Sequence, residues 1–229
     1  DLSVIASGPT VPDATTCADA LAVLQRYGID APEEILKAMN ETPKPGDPAF
    51  ANDDAIIIAD AGRALEAAAA RARELGAEPV ILGADLEGEA RDMAAEMAAK
   101  LDAHRARPLV LLSGGEATVT LRGDGKGGPN SEFLLALALA FNGRADAHAI
   151  ACDTDGIDGS EDNAGAYIAP DTLERARKLG LDGATMLDNN DAHGFFAGLG
   201  DLIITGPTYT NVNDFRAILL IPRITDHDP

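Results

Sequence analysis

From residue 55 onward the chain alternates short apolar runs with helical stripes, and three of the runs end in polar loops that contain glycine. The runs 56–58, 80–82, 109–112, 149–150 with its flanks, 202–204 and 218–221 are apolar without interruption, the pattern of strands covered on both faces. Between them, Ala64, Leu65, Ala68, Ala69, Ala72 and Leu75 recur at helical spacing until Gly76. Residues 89–101 place Met93, Met97 and Leu101 on one helix face. Residues 131–141 are apolar all round, which predicts a helix buried on several sides. Residues 171–179 form a further helix stopped at Gly180, and 118–121 reads as half of a hairpin turning at Gly123-Asp-Gly125. This alternation predicts an α/β fold with a largely parallel, mixed sheet flanked by helices.

The first part of the chain has a different texture. It is rich in Pro and turn residues, with a helix over 17–27 closed by Gly28 and a second short helix after Pro32. Thr42-Pro-Lys-Pro-Gly-Asp-Pro48 reads as a linker or an arm crossing a surface. The expected division is therefore 1–50, then an α/β body over 51–222, then a short tail, 223–229. With 46% hydrophobic residues over 229 positions, a packed core is within reach. Lys and Arg number 18 against 38 Asp and Glu, a formal charge of −20, which argues against nucleic acid or an anionic membrane as the main partner. No run approaches the ~18 apolar residues of a membrane span, and no secretory signal is visible. Cys17 and Cys152 form no metal or disulfide pattern, which suits a reducing cytoplasm. Neither has a basic neighbour in sequence to activate it.

The chemistry is expected in the three loops, because ligands in open α/β sheets bind beyond the carboxyl ends of strands. The loops are Ser113-Gly-Gly-Glu-Ala-Thr118, Asp153-Thr-Asp-Gly-Ile-Asp-Gly159 and Thr205-Gly-Pro-Thr-Tyr-Thr-Asn-Val-Asn-Asp214. Gly114 and Gly115 would let the backbone N–H groups approach phosphate or carboxylate oxygens, although an ordinary tight turn has the same sequence. Glu116 beside them is an apt magnesium or hydroxyl ligand, or a solvated residue. Asp153, Asp155 and Asp158 put three carboxylates within six positions. Hard cations want such oxygens, and Mg²⁺ is commonly held by one or two carboxylates plus phosphates and water. An Asp/Gly turn on an acidic surface fits equally. Thr205, Gly206, Thr208, Thr210, Asn211 and Asn213 suit hydrogen bonding to a polyol or carboxylate, or a capped surface loop. Lys126, in Gly123-Asp-Gly-Lys-Gly-Gly-Pro-Asn130, could meet phosphate; the stretch lacks the ending of a Walker A loop. Asn130 reads as a helix cap, and His193 as a residue that satisfies local backbone groups.

Ser7-Gly-Pro-Thr-Val-Pro-Asp13, Thr42-Pro-Lys-Pro-Gly46, Leu112-Ser-Gly-Gly-Glu116, Asp153-Thr-Asp-Gly-Ile-Asp-Gly159, Asn189-Asn-Asp-Ala-His193 and the loop 205–214 together resemble the class II glycerate 2-kinases. Their C-terminal part is the MOFRL domain, about 108–222 here, and the same family is often labelled hydroxypyruvate reductase. The resemblance implies ATP- and Mg²⁺-dependent phosphorylation of D-glycerate to 2-phosphoglycerate in the cleft of a two-lobed cytoplasmic enzyme. It implies a Rossmann-like C-terminal lobe forming one wall of that cleft. A preceding lobe bearing an important lysine is absent from this chain, and residues 1–50 resemble its tail and crossover. Homodimerisation is left open.

On this reading Asp153, Asp155 and Glu116 are catalytic, and Asp153, Asp155 and Asp158 bind metal. Ser113, Gly114, Gly115, Lys126, Asn130, Gly156, Thr205, Gly206, Thr208 and Asn211 contact substrate or nucleotide. Many relatives carry Gly-Gly-Arg-Asn-Gln-Glu where this chain has Gly127-Gly-Pro-Asn-Ser-Glu132. Pro129 cannot neutralise phosphate, so that duty falls to Lys126, Arg122 or the absent lobe. The alternatives are an NAD(P)H-dependent hydroxypyruvate reductase and a non-catalytic ligand-binding fragment. The reductase would need a Gly-x-Gly-x-x-Gly turn after a strand, which this sequence lacks.

Overall fold

A computed structural model describes residue 2, residues 10–101 and residues 107–222. The chain forms two compact units, Asp1–Ile58 and Ala59–Pro229. The first contains α1 (Cys17–Arg26), α2 (Glu33–Ala38) and a 3-10 turn (Pro48–Phe50). A capping box between Thr16 and Asp19 starts α1, and Pro32 precedes α2. The two sequence arms of this unit meet: the Asp13 N–H donates to Pro43 O at 3.1 Å, and Thr42 Oγ1 donates to Asp13 Oδ2 at 3.0 Å. Residues 7–9 of the first arm lie outside the described residues, as does the tail 223–229. The run 56–58, expected as a strand, is not one. Ile56 and Ile58 are 79% and 85% exposed, and the run joins none of the strands among the described residues.

The second unit begins with α3 (Ala61–Glu74), whose first turn is capped by the Asp60 carboxylate at the Arg63 N–H. It continues through β1 (Glu78–Glu89), α4 (Ala90–Ala99), β2 (Leu109–Thr118), α5 (Pro129–Phe141), β3 (Ala147–Asp153) and β4 (Gly165–Ile168). Then come α6 (Thr172–Lys178), α7 (Gly183–Asp188), α8 (Ala192–Leu199), β5 (Leu202–Ile203) and β6 (Asp214–Leu220). The sheet order is β1-β2-β6-β3-β4-β5. It is mixed and flanked by helices, as expected, but the balance of directions is not. Among the described residues only β1 and β2 run parallel; the other four pairings are antiparallel. Two of these come from β6, which returns from the far end of the chain and inserts between β2 and β3, and two from the β3–β4–β5 meander.

The main core lies between the sheet and α4, α5 and α8, and a smaller cluster of Leu65, Ala69 and Leu112 packs α3 on the other face. The all-apolar helix is buried as predicted. Phe133, Leu134, Leu135 and Leu137 of α5 are fully enclosed, each contributing about 1.5–3 kcal/mol of burial. Leu109 opposes Leu220 on β6, and Ala147 opposes the same residue from β3. At the other end Gly115 and Asp153 both oppose Asp214. The carboxyl ends of β2 and β3 thus meet the start of β6. No hairpin forms at 118–125; β2 runs on to Thr118, and the stretch after it packs on residues 189–193. Among the described residues no helix is long and apolar enough to cross a membrane.

Candidate functional site

Two of the three loops are knitted into one body at that shared end. Thr154 Oγ1 donates to Asn213 O at 2.8 Å and accepts from the Val212 N–H at 2.8 Å. Thr208 donates through its N–H to Asp155 O at 2.9 Å and through Oγ1 to Thr154 O at 2.5 Å. Gly156 sits at φ +99°, and a Cβ there would lie 2.2 Å from Gly206 O. Only glycine allows this approach, so Gly156 serves loop–loop packing, while Gly206 contributes its carbonyl and a turn at φ +67° with open space beside it. Thr205 Oγ1 is turned onto Gly206 O at 2.8 Å.

Asp153 and Asp155 emerge from this body half-buried. Asp153 Oδ1 accepts the Asp155 N–H at 2.9 Å, Asp155 Oδ1 accepts the Ile157 N–H at 2.8 Å, and Asp155 Oδ2 lies 3.4 Å from Asn211 Nδ2. Burial, reinforced by the charges of Asp155 and Asp214, pushes the Asp153 carboxyl up to about 6. Its folded pKa exceeds the ordinary 3.8, so stability falls as pH rises through the window between about 4 and 6 and stays lowered above it. Asp153→Asn keeps the acceptor for Asp155 and removes the penalty. At pH 7 it is expected to gain about 1 kcal/mol, discounted for its half-exposed position, or roughly 2–4 °C in Tm. At pH 4 the gain should vanish. A melt that shows no pH dependence of the difference would refute the assignment.

Beside Asp153 in the sheet lies a buried polar layer. Asp214 Oδ1 accepts Asn130 Nδ2 at 2.6 Å, while Oδ2 accepts the Ala117 N–H at 2.9 Å and the Arg216 guanidinium. Arg216 is 1% exposed, and its guanidinium carbon lies 5.5 Å from the centre of the Phe133 ring. Burial lowers its proton affinity and the Asp214 carboxylate counters this. Asn130 Oδ1 and Arg216 Nε are buried with no hydrogen-bond partner among the described residues.

Several expected roles change. Asp158 does not stand with Asp153 and Asp155; it is fully buried, its two oxygens accepting the Asn130 N–H at 2.9 Å and the Ser131 N–H at 2.8 Å. It caps α5 from a distance, the role the sequence suggested for Asn130, and burial pushes its pKa up despite those bonds. Among the described residues no group of three His, Cys, Asp or Glu is arranged to hold a metal. Ser113, Gly114 and Gly115 are not a turn. They lie inside β2, all three opposite β6 and Ser113 and Gly115 also opposite β1, across register shifts in β1. Glu116 follows them and is exposed, opposite Glu87 of β1. Lys126 is exposed and pairs with Glu161 at 3.2 Å. Gly123 and Gly125 serve packing too, since a Cβ at either would lie 2.2 Å from Asn189 Oδ1 or 2.5 Å from Asn189 O. Burial pushes the Cys152 thiol up to about 12, which leaves it inert. Arg216 carried no expectation. The signal was present: along β6, Asp214, Arg216, Ile218 and Leu220 alternate onto one buried face.

The sequence pattern of the MOFRL family matches residues 109–214, and one described as a domain of unknown function, DUF4147, matches residues 1–40. A protein of Agrobacterium vitis that carries a hydroxypyruvate reductase name is 52% identical, over 96% of this chain and 52% of its own length. A glycerate kinase of Macaca fascicularis is 32% identical, over 97% of this chain and 69% of its own length. The crystal structure of a glycerate kinase from Thermotoga maritima matches with a TM-score of 0.82 at 36% identity, over 96% of this chain and 54% of that one. The chain spans about half the length of the Agrobacterium and Thermotoga proteins. The mixed sheet with its acidic mouth is thus an α/β lobe of the kind found in glycerate kinases. The chain belongs to the MOFRL-containing glycerate kinase family.

Proposed function

We propose that this chain is one lobe of a glycerate kinase, transferring the γ-phosphoryl group of ATP to the C2 hydroxyl of D-glycerate. The observation that carries the reading is the Asp153–Asp155 pair, held at the mouth where β2, β3 and β6 end together, in a chain of this family. Phosphoryl transfer asks for positioning and charge neutralisation more than covalent chemistry. The donor set fits Mg²⁺ of the kind that keeps water and substrate phosphates in its shell, because two half-buried carboxylates supply hard oxygens without closing a cage. When bound, the metal neutralises charge on the transferring phosphoryl group.

The chain's own groups then have these duties. Asp155 accepts the C2 hydroxyl proton as the oxygen attacks phosphorus and the bond to the ADP oxygen breaks. Asn211, beside Asp155, and Thr208 orient the glycerate. Glu116 stands exposed at the rim as a further ligand or hydrogen-bond acceptor. Residues 1–50 are the end of a preceding lobe and the crossover from it, and that lobe supplies the facing wall and the remaining cations.

The decisive assay is 2-phosphoglycerate formation from D-glycerate and Mg·ATP by the intact gene product. Phosphorylation at C3, or none, would overturn the reading. Asp155→Asn keeps an acceptor for the Ile157 N–H and should leave the melt unchanged while lowering kcat about 100-fold. An unaltered kcat would remove Asp155 from the proton-transfer role. The hydroxypyruvate reductase name borne by the Agrobacterium relative gives the second reading. NADH oxidation with hydroxypyruvate would favour it.

A further inference from the structure

The stretch after β2 carries two exposed cations, Arg122 and Lys126, and Lys126 reaches Glu161 just past the carboxylate loop at 3.2 Å. Its tail abuts that loop directly: a Cβ on Gly128 would lie 2.3 Å from Asp158 C, and one on Gly159 would lie 2.6 Å from Gly127 O. The stretch has no ladder of its own. Its backbone is read instead by residues 189–193. The Gly125 N–H donates to Asn189 O at 2.9 Å, the Lys126 N–H to Asp191 Oδ1 at 3.3 Å, and the His193 N–H to Lys126 O at 2.9 Å.

Asn190 is the centre of this arrangement. It is 4% exposed and sits at φ +57°. An amide has two donor and two acceptor sites, and all four are used. Oδ1 accepts the Arg122 N–H at 2.7 Å and the Gly123 N–H at 3.1 Å. Nδ2 donates to Thr120 O at 3.3 Å and to Glu132 Oε2 at 2.9 Å. Glu132 is itself buried, and its other oxygen accepts Arg91 Nε at 2.6 Å. Arg91 is anchored in turn by Leu187 O at 2.6 Å. An ionised carboxylate only accepts, so Glu132 forces the NH₂ side of the amide toward itself. The carbonyl side must then face the loop. The amide orientation is therefore set by a charged pair from α4 and α5, and three of its four bonds fall on the loop.

We propose that Asn190, with Glu132 and Arg91 behind it, is a positioning residue that holds the 120–126 loop so that Lys126 and Arg122 face the triphosphate of ATP. The inference rests on the kinase reading above and adds the residues that set its anion contacts. Lys126 would exchange its partner Glu161 for phosphate oxygens.

The test uses the full-length protein. The variants are Asn190→Gly, which suits the positive φ and deletes only the side chain, Glu132→Gln, which keeps the shape, and Lys126→Ala. The readouts are kcat, KM for Mg·ATP, and the Kd of inorganic tripolyphosphate by calorimetry. Asn190→Gly is expected to raise KM and Kd about 10-fold with kcat within about 3-fold, and Glu132→Gln to raise them about 3-fold. Lys126→Ala should raise KM and Kd in the wild-type background but add little in the Asn190→Gly background, because an unpositioned lysine contributes little. Additive effects, an unchanged KM and Kd, or a fall confined to kcat would overturn the proposal, as would a wild type that binds no tripolyphosphate. If Asn190→Gly fails to fold, the Glu132→Gln and Lys126→Ala cycle makes the same decision. A wild type that binds tripolyphosphate but forms no phosphoglycerate would sink the kinase reading alone, and the binding ratios would still judge Asn190.

Discussion

Arg216→Met is expected to destabilise the chain by about 3–5 kcal/mol, the usual cost of removing one partner from a buried ion pair. The guanidinium is 1% exposed and its carboxylate partner Asp214 is 4% exposed. Methionine replaces most of the side chain's bulk, so the loss is electrostatic rather than a cavity. Asp214 cannot escape to water, because it also holds the Ala117 N–H and the Asn130 side chain. Its carboxylate would be left buried without its cationic partner. For a body of this size the loss corresponds to roughly 10 °C or more in Tm. Arg177→Met on the exposed face of α6 is the control and should stay within about 0.5 kcal/mol. A loss below about 1 kcal/mol for Arg216→Met would mean that water reaches the pair. Removing both charges should not restore stability, since the Ala117 N–H and Asn130 would lose their acceptor. In that respect the pair differs from buried ion pairs that hydrophobic residues can replace.

This buried layer marks the limit of what was legible beforehand. Periodicity located α3, α5 and most of the strands, because each buries a face whose spacing is written locally. The end of β3 and the stretch before β6 were also recognisable as loops that meet, and Thr154, Thr208 and Asn213 join them. The direction of the sheet was not legible. It depends on where β6 inserts, and nothing within residues 214–220 announces that their neighbours will be β2 and β3. The same long-range placement decides the carboxylates. Asp153, Asp155 and Asp158 look alike in sequence, yet Asp158 faces the start of α5 because Gly128 lets the two backbones touch. Arg216 was hidden for a related reason. A charged residue in phase with Ile218 and Leu220 reads as an exception until the partner carboxylate is seen two positions away on the same face. The run 56–58 differs in the opposite sense: its β-branched residues suggest a strand, and among the described residues it is not one.

Gly115→Ala is expected to cost more than about 4 kcal/mol and to yield little folded protein, a size of loss confined to a few mechanisms. The residue sits at φ +113°, and an added Cβ would lie 2.1 Å from Leu86 O and 2.3 Å from Leu86 N. Neither strand can yield, because β2 is paired to β1 on one side and to β6 on the other. Moving β2 away from Leu86 would press it toward Asp214, which lies opposite Gly115. Gly114→Ala makes the comparison quantitative. Its Cβ would meet Ala84 O at 3.2 Å and Asp214 O at 3.3 Å, without a positive φ, so shifts of a few tenths of an ångström suffice and about 1–2 kcal/mol should be lost. Thermal melts and soluble yield of the two variants therefore separate the roles that the Ser-Gly-Gly sequence leaves open. If the glycines cradled a ligand, both variants would fold normally and lose nucleotide affinity to a similar degree. If they let two strands approach, the two alanines differ sharply in stability, and Gly114→Ala matches the unaltered protein in an Mg·ATP titration. The pairing of β2 on both edges requires the second result, and near-equal melting temperatures for the two variants would contradict it.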